Sequence, residues 1–241
     1  MIAIDIGNTN LDFALIKQGK IKKVFKISTK SISKNTLSKL LSRYKLEPIF
    51  VCSVVPALIK LLKGLNMPIY IVGKDVKVPV KNYYDKKNIG MDRLVGAYAA
   101  KSFFPQSRLI LDFGTAITLD FLNKQGDYQG GLILPGVGST LEVLANCALL
   151  PKRVSFKSSK QTIPTNTNES ITRGIQEGFS SMLNSLVAKY KKLLKIPASI
   201  PVVVTGGSAP IVFKKLNFPR IYKPFLVLEG LGHLAKNTLH A

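Results

Sequence analysis

Acidic residues are scarce in this 241-residue chain: 13 Asp and Glu stand against 35 Lys and Arg, a net charge of +22. An excess of this size points first to a polyanion partner. Yet 29 of the cations are Lys and six are Arg, and the lysines are spread along the chain without a long basic block. Arg is the residue that reads bases and grips phosphates in pairs. The expectation is therefore a generally basic surface that favours small anions, not a nucleic-acid binder. Tryptophan is absent, and there are two cysteines and two histidines. Cys52 and Cys147 fit neither a metal spacing nor a disulfide framework, and both are expected to be buried, reduced thiols. His233 and His240 are read as non-catalytic, and no Ser-His or Cys-His nucleophile pair is in view. No apolar run approaches the ~18 residues of a membrane span; the most apolar region, 131–150, is broken by Gly136, Gly138 and Glu142. The first residues run straight into strand-like sequence, without a basic-then-apolar leader. A cytoplasmic protein with no membrane partner is expected.

What the chain does have is 46% hydrophobic residues, enough for one large domain or two small ones. Residues 2–6, 11–16 and "IKKVFKI" read as three strands of a meander, with "KQGK" as a turn. "NTLSKLLSRYKL" carries Leu37, Leu40, Leu41 and Tyr44 at helical spacing. "PIFVCSVV" is a strand closed by Pro56, "ALIKLLKGL" a short helix, "PIYIVG" a strand, and "MDRLVGAYAAKSFF" a helix ending before Pro105. From Arg108 the pattern starts over: "RLILDF", "AITLDFL" and "YQGGLIL" form a second meander. A helix "TLEVLANCALL" follows, then a long helix from about 168 to 194 with an apolar stripe of Ile171, Ile175, Phe179, Met182, Leu183, Leu186 and Tyr190. The strand "PVVVT", a turn "GGS", a helix, and a last helix around "EGLGHLAK" complete the chain.

The repetition is an internal duplication. Asp5-Ile6-Gly7 aligns with Asp112-Phe113-Gly114, and with a one-residue gap "NTNLDF" matches "TAITLDF". Two similar α/β halves are expected, 1–105 and 106–241. Each repeat ends a strand on Asp and turns through Gly and small polar residues. Gly7 lets the backbone approach a ligand without a Cβ, successive N–H groups can form an anion nest, and Asn8 and Thr9 add donors. Asp5 cannot itself hold a phosphate, so a carboxylate beside such a nest implies a cation between them. For one copy, an Asx-type hairpin turn explains the residues equally well; two copies favour a nucleotide. "VTGGSAP", 204–210, would allow close backbone approach to a flat ligand or serve as a plain strand-to-helix turn. No G-x-x-x-x-G-K-[ST] motif is present. "IGMDRL" reads, on residues alone, as an Asp favouring a helix N-terminus with Arg93 on the surface.

The stretches "DIGNTN" (5–10), "SVVP" (53–56), "GMDR" (90–93), "DFGTAITLD" (112–120), "GGLILPG" (130–136), "NTNESITRGIQEG" (166–178), "TGGSA" (205–209) and "LEGL" (228–231) run in an order that resembles the type III pantothenate kinases. These belong to the superfamily of actin, sugar kinases and acetate kinase. The resemblance implies an α/β fold of two ribonuclease-H-like halves, the actin-like ATPase fold, with the nucleotide in the cleft between them. It implies phosphorylation of the pantothenate hydroxyl by ATP, the first step towards coenzyme A. Carried over by motif, Asp5, Ile6, Gly7, Asn8, Thr9, Asn10, Leu11 and Asp12 would bind ATP together with Thr115, Gly206 and Gly207. Asp92 would be the general base. Tyr83, Gly90, Met91, Asp92, Arg93 and Thr167 would contact pantothenate, Tyr84 being the competing aromatic. Asp112 would ligate a monovalent cation, K⁺ or NH₄⁺, and Mg²⁺ would accompany ATP near Asp5. A homodimer is implied, with the long helix as the packing candidate. The chain departs from the family pattern at Asp12, where a basic residue is common, and at Pro164-Thr165, which replace a Gly-Lys pair. Two other readings remain: another small-molecule hydroxyl kinase, or a nucleotide-binding regulator without catalysis.

Overall fold

The computed structural model describes residues 1–44, 47–85, 89–147, 150–151, 153–156 and 162–239. His240 and the centre of the 152–168 loop lie outside the described residues. The chain groups into two compact units. The first comprises Met1–Pro105, Asp120–Gly130 and Phe225–Ala241; the second comprises Gln106–Leu119 and Gly131–Pro224.

The first unit is built on a five-stranded sheet of β1 (Ile2–Ile6), β2 (Asn10–Lys17), β3 (Lys20–Ser28), β4 (Ile49–Ser53) and β5 (Ile69–Ile71), in the order β3-β2-β1-β4-β5. Gln18 and Gly19 both take positive φ, 53° and 70°, the pairing a two-residue type I′ hairpin demands. Alternation sorts the side chains. Ile4, Ile6, Leu11, Phe13 and Val51 pack with Leu37 and Leu41 of α1 (Lys34–Leu41) and Leu58 and Leu62 of α2 (Pro56–Lys63). Pro56, expected to close a strand, instead opens α2 at its first turn, where its missing N–H costs nothing. The other face carries Ala3, Asp5, Asp12, Ala14 and Cys52 in register across the strands, with Phe50 beside Ala3. Two more helices belong to this unit, α3 (Met91–Phe103) and α6 (Leu226–Leu239). They approach closely at Gly230, where a Cβ would stand 2.9 Å from the Val95 carbonyl oxygen. His233 stacks on Tyr98 with ring centroids 5.5 Å apart, a packing role.

The second sheet contains β6 (Leu109–Phe113), β7 (Ala116–Leu122), β8 (Tyr128–Pro135), β9 (Val202–Thr205) and β10 (Arg220–Tyr222). Its order is β10-β9-β6-β7-β8, the same sequence of copies as in the first sheet when read from the other edge. β1 and β6 even share one burial pattern, with the Asp as the half-exposed fourth residue. The duplication is thus a duplication of fold. Strands β7 and β8 run across the division between units, so their connecting end, Asp120–Gly130, belongs to the first. Helices α4 (Val137–Ala145) and α5 (Thr167–Leu193) complete the second unit. Asn166 caps α5 by accepting from the Glu169 N–H at 3.0 Å, as expected of a side chain at that position.

Three expectations are corrected. The helix after "TGGS" is a pair of short 3₁₀ turns, Ala209–Ile211 and Phe213–Lys215. Strand β10 was not foreseen, because three residues carry no alternation to detect. Cys52 is buried as expected, but Cys147 is exposed, since α4 ends at Ala145 and the thiol falls just beyond its packed face.

Candidate active site

The first Asp-Gly turn sits where β1 hands over to β2. The Gly7 N–H donates to the Asn10 carbonyl at 2.9 Å, closing the turn. Thr29 fastens it from β3's end, its N–H donating to the Thr9 carbonyl at 2.9 Å and its hydroxyl to the Gly7 carbonyl at 2.8 Å. Asn8 and Thr9 are exposed at the tip. Ile6 and Leu11 are fully buried against α1 and α2, so these two can meet a nucleotide through backbone alone.

Asp5 and Asp12 are direct cross-strand partners, so Asp12 lies on the Asp5 side of the sheet. Lys26 is the next residue in the row, its Nζ 3.5 Å from Asp12 Oδ1. That distance gives an ion pair without an aligned hydrogen bond, and Oδ1 has no hydrogen-bond partner. Burial pushes the Asp12 carboxyl up, with Lys26 opposing. On β4 the same row continues to Cys52. That thiol is pushed well up, first by burial and then by the negative charges of Asp5 and Asp92. Asp5, cross-strand from Cys52, and Asp92, in the first turn of α3, thus belong to the same unit and both act on that buried sulfur.

Asp92 stands in the first turn of α3. Its Oδ1 accepts the Arg93 backbone N–H at 2.9 Å. Gly90 makes this rotamer possible, because a Cβ there would overlap Asp92 Oδ1. Burial raises the Asp92 carboxyl above its ordinary range. The Arg93 N–H opposes this, the Asp120 charge adds to it, and the Arg93 charge opposes. A carboxylate at a helix N-terminus with a raised pKa has the character of a general base. Met91 turns to Gly73, where a Cβ would meet its Sδ at 2.6 Å, so Met91 is packing.

Arg93 is not a surface residue. Its Nε donates to Asp120 Oδ1 at 2.8 Å, and Tyr128 Oη donates to the same oxygen at 2.7 Å. The guanidinium lies 5.7 Å from the Tyr84 ring centroid and 5.6 Å from that of Tyr128. Tyr84, not Tyr83, reaches this cluster; Tyr83 is 53% exposed and sits under Lys81. Asn82 sets that choice by accepting the Tyr84 N–H at 2.9 Å. Sequence reasoning assigned no role to Asp120 or Tyr128 and left Tyr84 as the alternative to Tyr83. The repeat held the signal, because Asp120 is the duplicate of Asp12.

In the second unit, Asp112 occupies the position of Asp5 and Gly114 that of Gly7. Gly206, at φ +92°, lies against this turn; a Cβ would stand 2.5 Å from both Asp112 Oδ1 and the Phe113 carbonyl carbon. The Thr-Gly-Gly turn thus makes its close approach to the second Asp-Gly turn, and Gly207 is exposed beside it. Thr115 is exposed, and its carbonyl accepts the Ser139 hydroxyl at 3.0 Å. Gly136 opens that contact, since a Cβ there would overlap the Thr115 carbonyl. Thr167, exposed in the first turn of α5, belongs to the second unit. Among the described residues no three His, Cys, Asp or Glu converge as a ready metal site, and no helix is long and apolar enough to cross a membrane.

Duplicated sheets with paired Asp-Gly turns define the two-domain, actin-like fold. Solved structures share the fold. A Campylobacter jejuni protein assigned to the Baf family of transcriptional activators aligns over 100% of both chains with a TM-score of 0.67 and 20% identity. A Sinorhizobium meliloti protein assigned as a 2-dehydro-3-deoxygalactonokinase aligns over 98% of this chain and 96% of its own, with a TM-score of 0.55 and 14% identity. The sequence model of the type III pantothenate kinase family matches residues 1–189. A Persephonella marina protein named type III pantothenate kinase is 34% identical over 250 residues, covering 96% of each chain. The chain belongs to the type III pantothenate kinase family, whose reaction opens coenzyme A biosynthesis and draws on ATP with a divalent metal.

Proposed function

We propose that this chain transfers the γ-phosphoryl group of ATP to the primary hydroxyl of pantothenate, giving 4′-phosphopantothenate and ADP. The observation that carries this reading is that Asp5 pairs across the sheet with Cys52 on β4, the strand against which α3, with Asp92 in its first turn, packs. It sets a phosphate-binding turn and a base within electrostatic reach of each other. The turn of Gly7 to Asn10 offers backbone and side-chain donors to the phosphates. Asp92 accepts a hydrogen bond from the acceptor hydroxyl and takes its proton as the oxygen bonds to the γ-phosphorus and the bond to ADP breaks. Phosphoryl transfer asks chiefly for positioning and charge neutralisation, which suits a site with one carboxylate base and no nucleophile. Arg93 holds the acceptor's carboxylate. Incubation with ATP and a panel of pantothenate, glucose, N-acetylglucosamine and a deoxy-keto sugar acid decides the acceptor: turnover with pantothenate alone is expected, and turnover with a sugar instead overturns the assignment.

The donor set suits the two cations differently. Mg²⁺ keeps several waters and binds through one or two carboxylates plus phosphates. Asp5 without a ready three-ligand cluster matches that habit, and the ion when bound neutralises charge on the phosphates. Asp112 is the candidate ligand for K⁺ or NH₄⁺ because it ends β6 at the second Asp-Gly turn as Asp5 ends β1 at the first. Asp112→Asn is expected to lose most of the activation by K⁺ while still binding pantothenate. Unchanged K⁺ activation, measured as rate against KCl at constant ionic strength, contradicts the ligand role.

A homodimer is proposed through α5. Beside its buried line of Ile175, Leu183 and Val187 runs a half-buried apolar line of Ile171, Phe179, Met182, Leu186 and Tyr190. Light scattering at micromolar concentration is expected to give the dimer mass, and a monomer contradicts it. The enzyme is placed in the cytoplasm, where its donor ATP is found.

A further inference from the structure

The pair of Arg93 with Asp120 is unusually deep for a charged contact, with side chains 9% and 4% exposed. A buried pair of this kind adds little stability over apolar residues, because desolvation consumes the Coulombic gain. What it supplies is direction. One carboxylate oxygen, Asp120 Oδ1, accepts both Arg93 Nε at 2.8 Å and Tyr128 Oη at 2.7 Å. Arg93 Nη2 comes within 2.6 Å of that oxygen, yet is buried without an aligned acceptor. Of the guanidinium's five N–H donors, the Nε–H thus makes the one aligned hydrogen bond among the described residues. The rings of Tyr84 and Tyr128 restrain the guanidinium. Tyr128 is itself pinned by backbone bonds at 2.9 Å, its N–H donating to Lys81 and its carbonyl accepting from Tyr83. The repeat supplies a contrast. Asp12, the duplicate of Asp120, makes a 3.5 Å contact with a half-exposed lysine. The second copy has been turned to a tighter use.

We propose that Asp120 and Tyr128 are positioning residues, which lock the Arg93 guanidinium with Nε and Nη2 turned to Asp120 and Nη1 left for the carboxylate end of the acceptor, and place a fixed negative charge near Asp92. The inference rests on the pantothenate reading above and assigns to that site a control by two residues that do not touch substrate. The charged and titratable groups around Asp92 are Arg93 beside it on α3, Asp120 on β7, Cys52 on β4 and, past the thiol, Asp5 on β1. Tyr84 and Tyr128 face Arg93. Replacing Asp120 by a neutral residue removes a negative charge near Asp92 and leaves the Arg93 cation uncompensated. Both changes favour ionised Asp92.

The test is steady-state kinetics of the full chain with ATP and pantothenate across pH, for wild type, Asp120→Asn and Tyr128→Phe. Asp120→Asn is expected to raise the pantothenate KM by about 10–100-fold, the range for losing a hydrogen bond to a charged group. The ATP KM should stay within about twofold, and the acid limb of kcat should move to lower pH. Tyr128→Phe is expected to raise the pantothenate KM by about fivefold with the acid limb in place. An unchanged pantothenate KM together with an unmoved acid limb overturns the proposal, as does a fall in kcat alone. If Asp120→Asn does not fold by circular dichroism, an unchanged pantothenate KM in Tyr128→Phe overturns it. Wild type that leaves pantothenate unphosphorylated counts against the substrate reading; active wild type with indifferent variants counts against this inference alone.

Discussion

Asp92→Asn is expected to lower kcat by about a thousandfold while ATP still binds, within the range a positioned base contributes. The substitution keeps shape and an acceptor for the Arg93 N–H but cannot take a proton. Stability should move the other way. The folded-state pKa of Asp92 lies above its unfolded value, chiefly through burial. The fold therefore favours the protonated acid: that contribution is full below the unfolded pKa and is lost as pH rises through the folded one. At neutral pH the buried carboxylate costs stability, and Asn removes the cost. Thermal denaturation of Asp92→Asn at neutral pH is expected at or above the wild-type midpoint. In wild type the same shift puts the acid limb of kcat above the ordinary carboxylate range. Near-normal kcat in the variant shows that Asp92 is not the base.

Arg93→Ala carries the second large effect, and it acts on the fold as well as on the acceptor. Removing the cation leaves Asp120 ionised and buried without its guanidinium partner. Breaking a buried pair from one side costs about 3–5 kcal/mol. For a chain of this size that corresponds to a midpoint lowered by about 6–20 °C. Adding Asp120→Leu to Arg93→Ala should recover part of the loss, since no unpaired charge then remains. The pantothenate KM should stay high in both variants. A single variant with the wild-type midpoint contradicts the burial argument, and one with the wild-type KM contradicts acceptor binding by Arg93.

Much of this architecture could be read from local pattern. The repeated Asp-x-Gly between apolar strands announced the duplication, and the two sheets repeat the same order of copies around β1 and β6. Leu37, Leu40 and Leu41 marked α1, and Gly90 to Arg93 marked the start of α3. The failures are of another kind. Strand β10 is three residues long, and its cue is pairing with β9, not sequence. Tyr83 and Tyr84 are adjacent, and a hydrogen bond from Asn82 selects which one faces Arg93. Asp120 meets Arg93 across 27 residues of chain, a distance over which no periodicity operates. Asp12 was the departure from the family pattern, at a position where a basic residue is common. The register places it opposite Asp5 with Lys26 behind it, so a cation is present in the row after all, one strand further out.

The account stands most directly on product formation. Purified protein, ATP, Mg²⁺ and pantothenate, with K⁺ present, should yield 4′-phosphopantothenate and ADP in equal amounts by mass spectrometry, and the Asp92→Asn protein should yield almost none. ATP left intact beside unmodified pantothenate, with a folded wild-type chain, would contradict it.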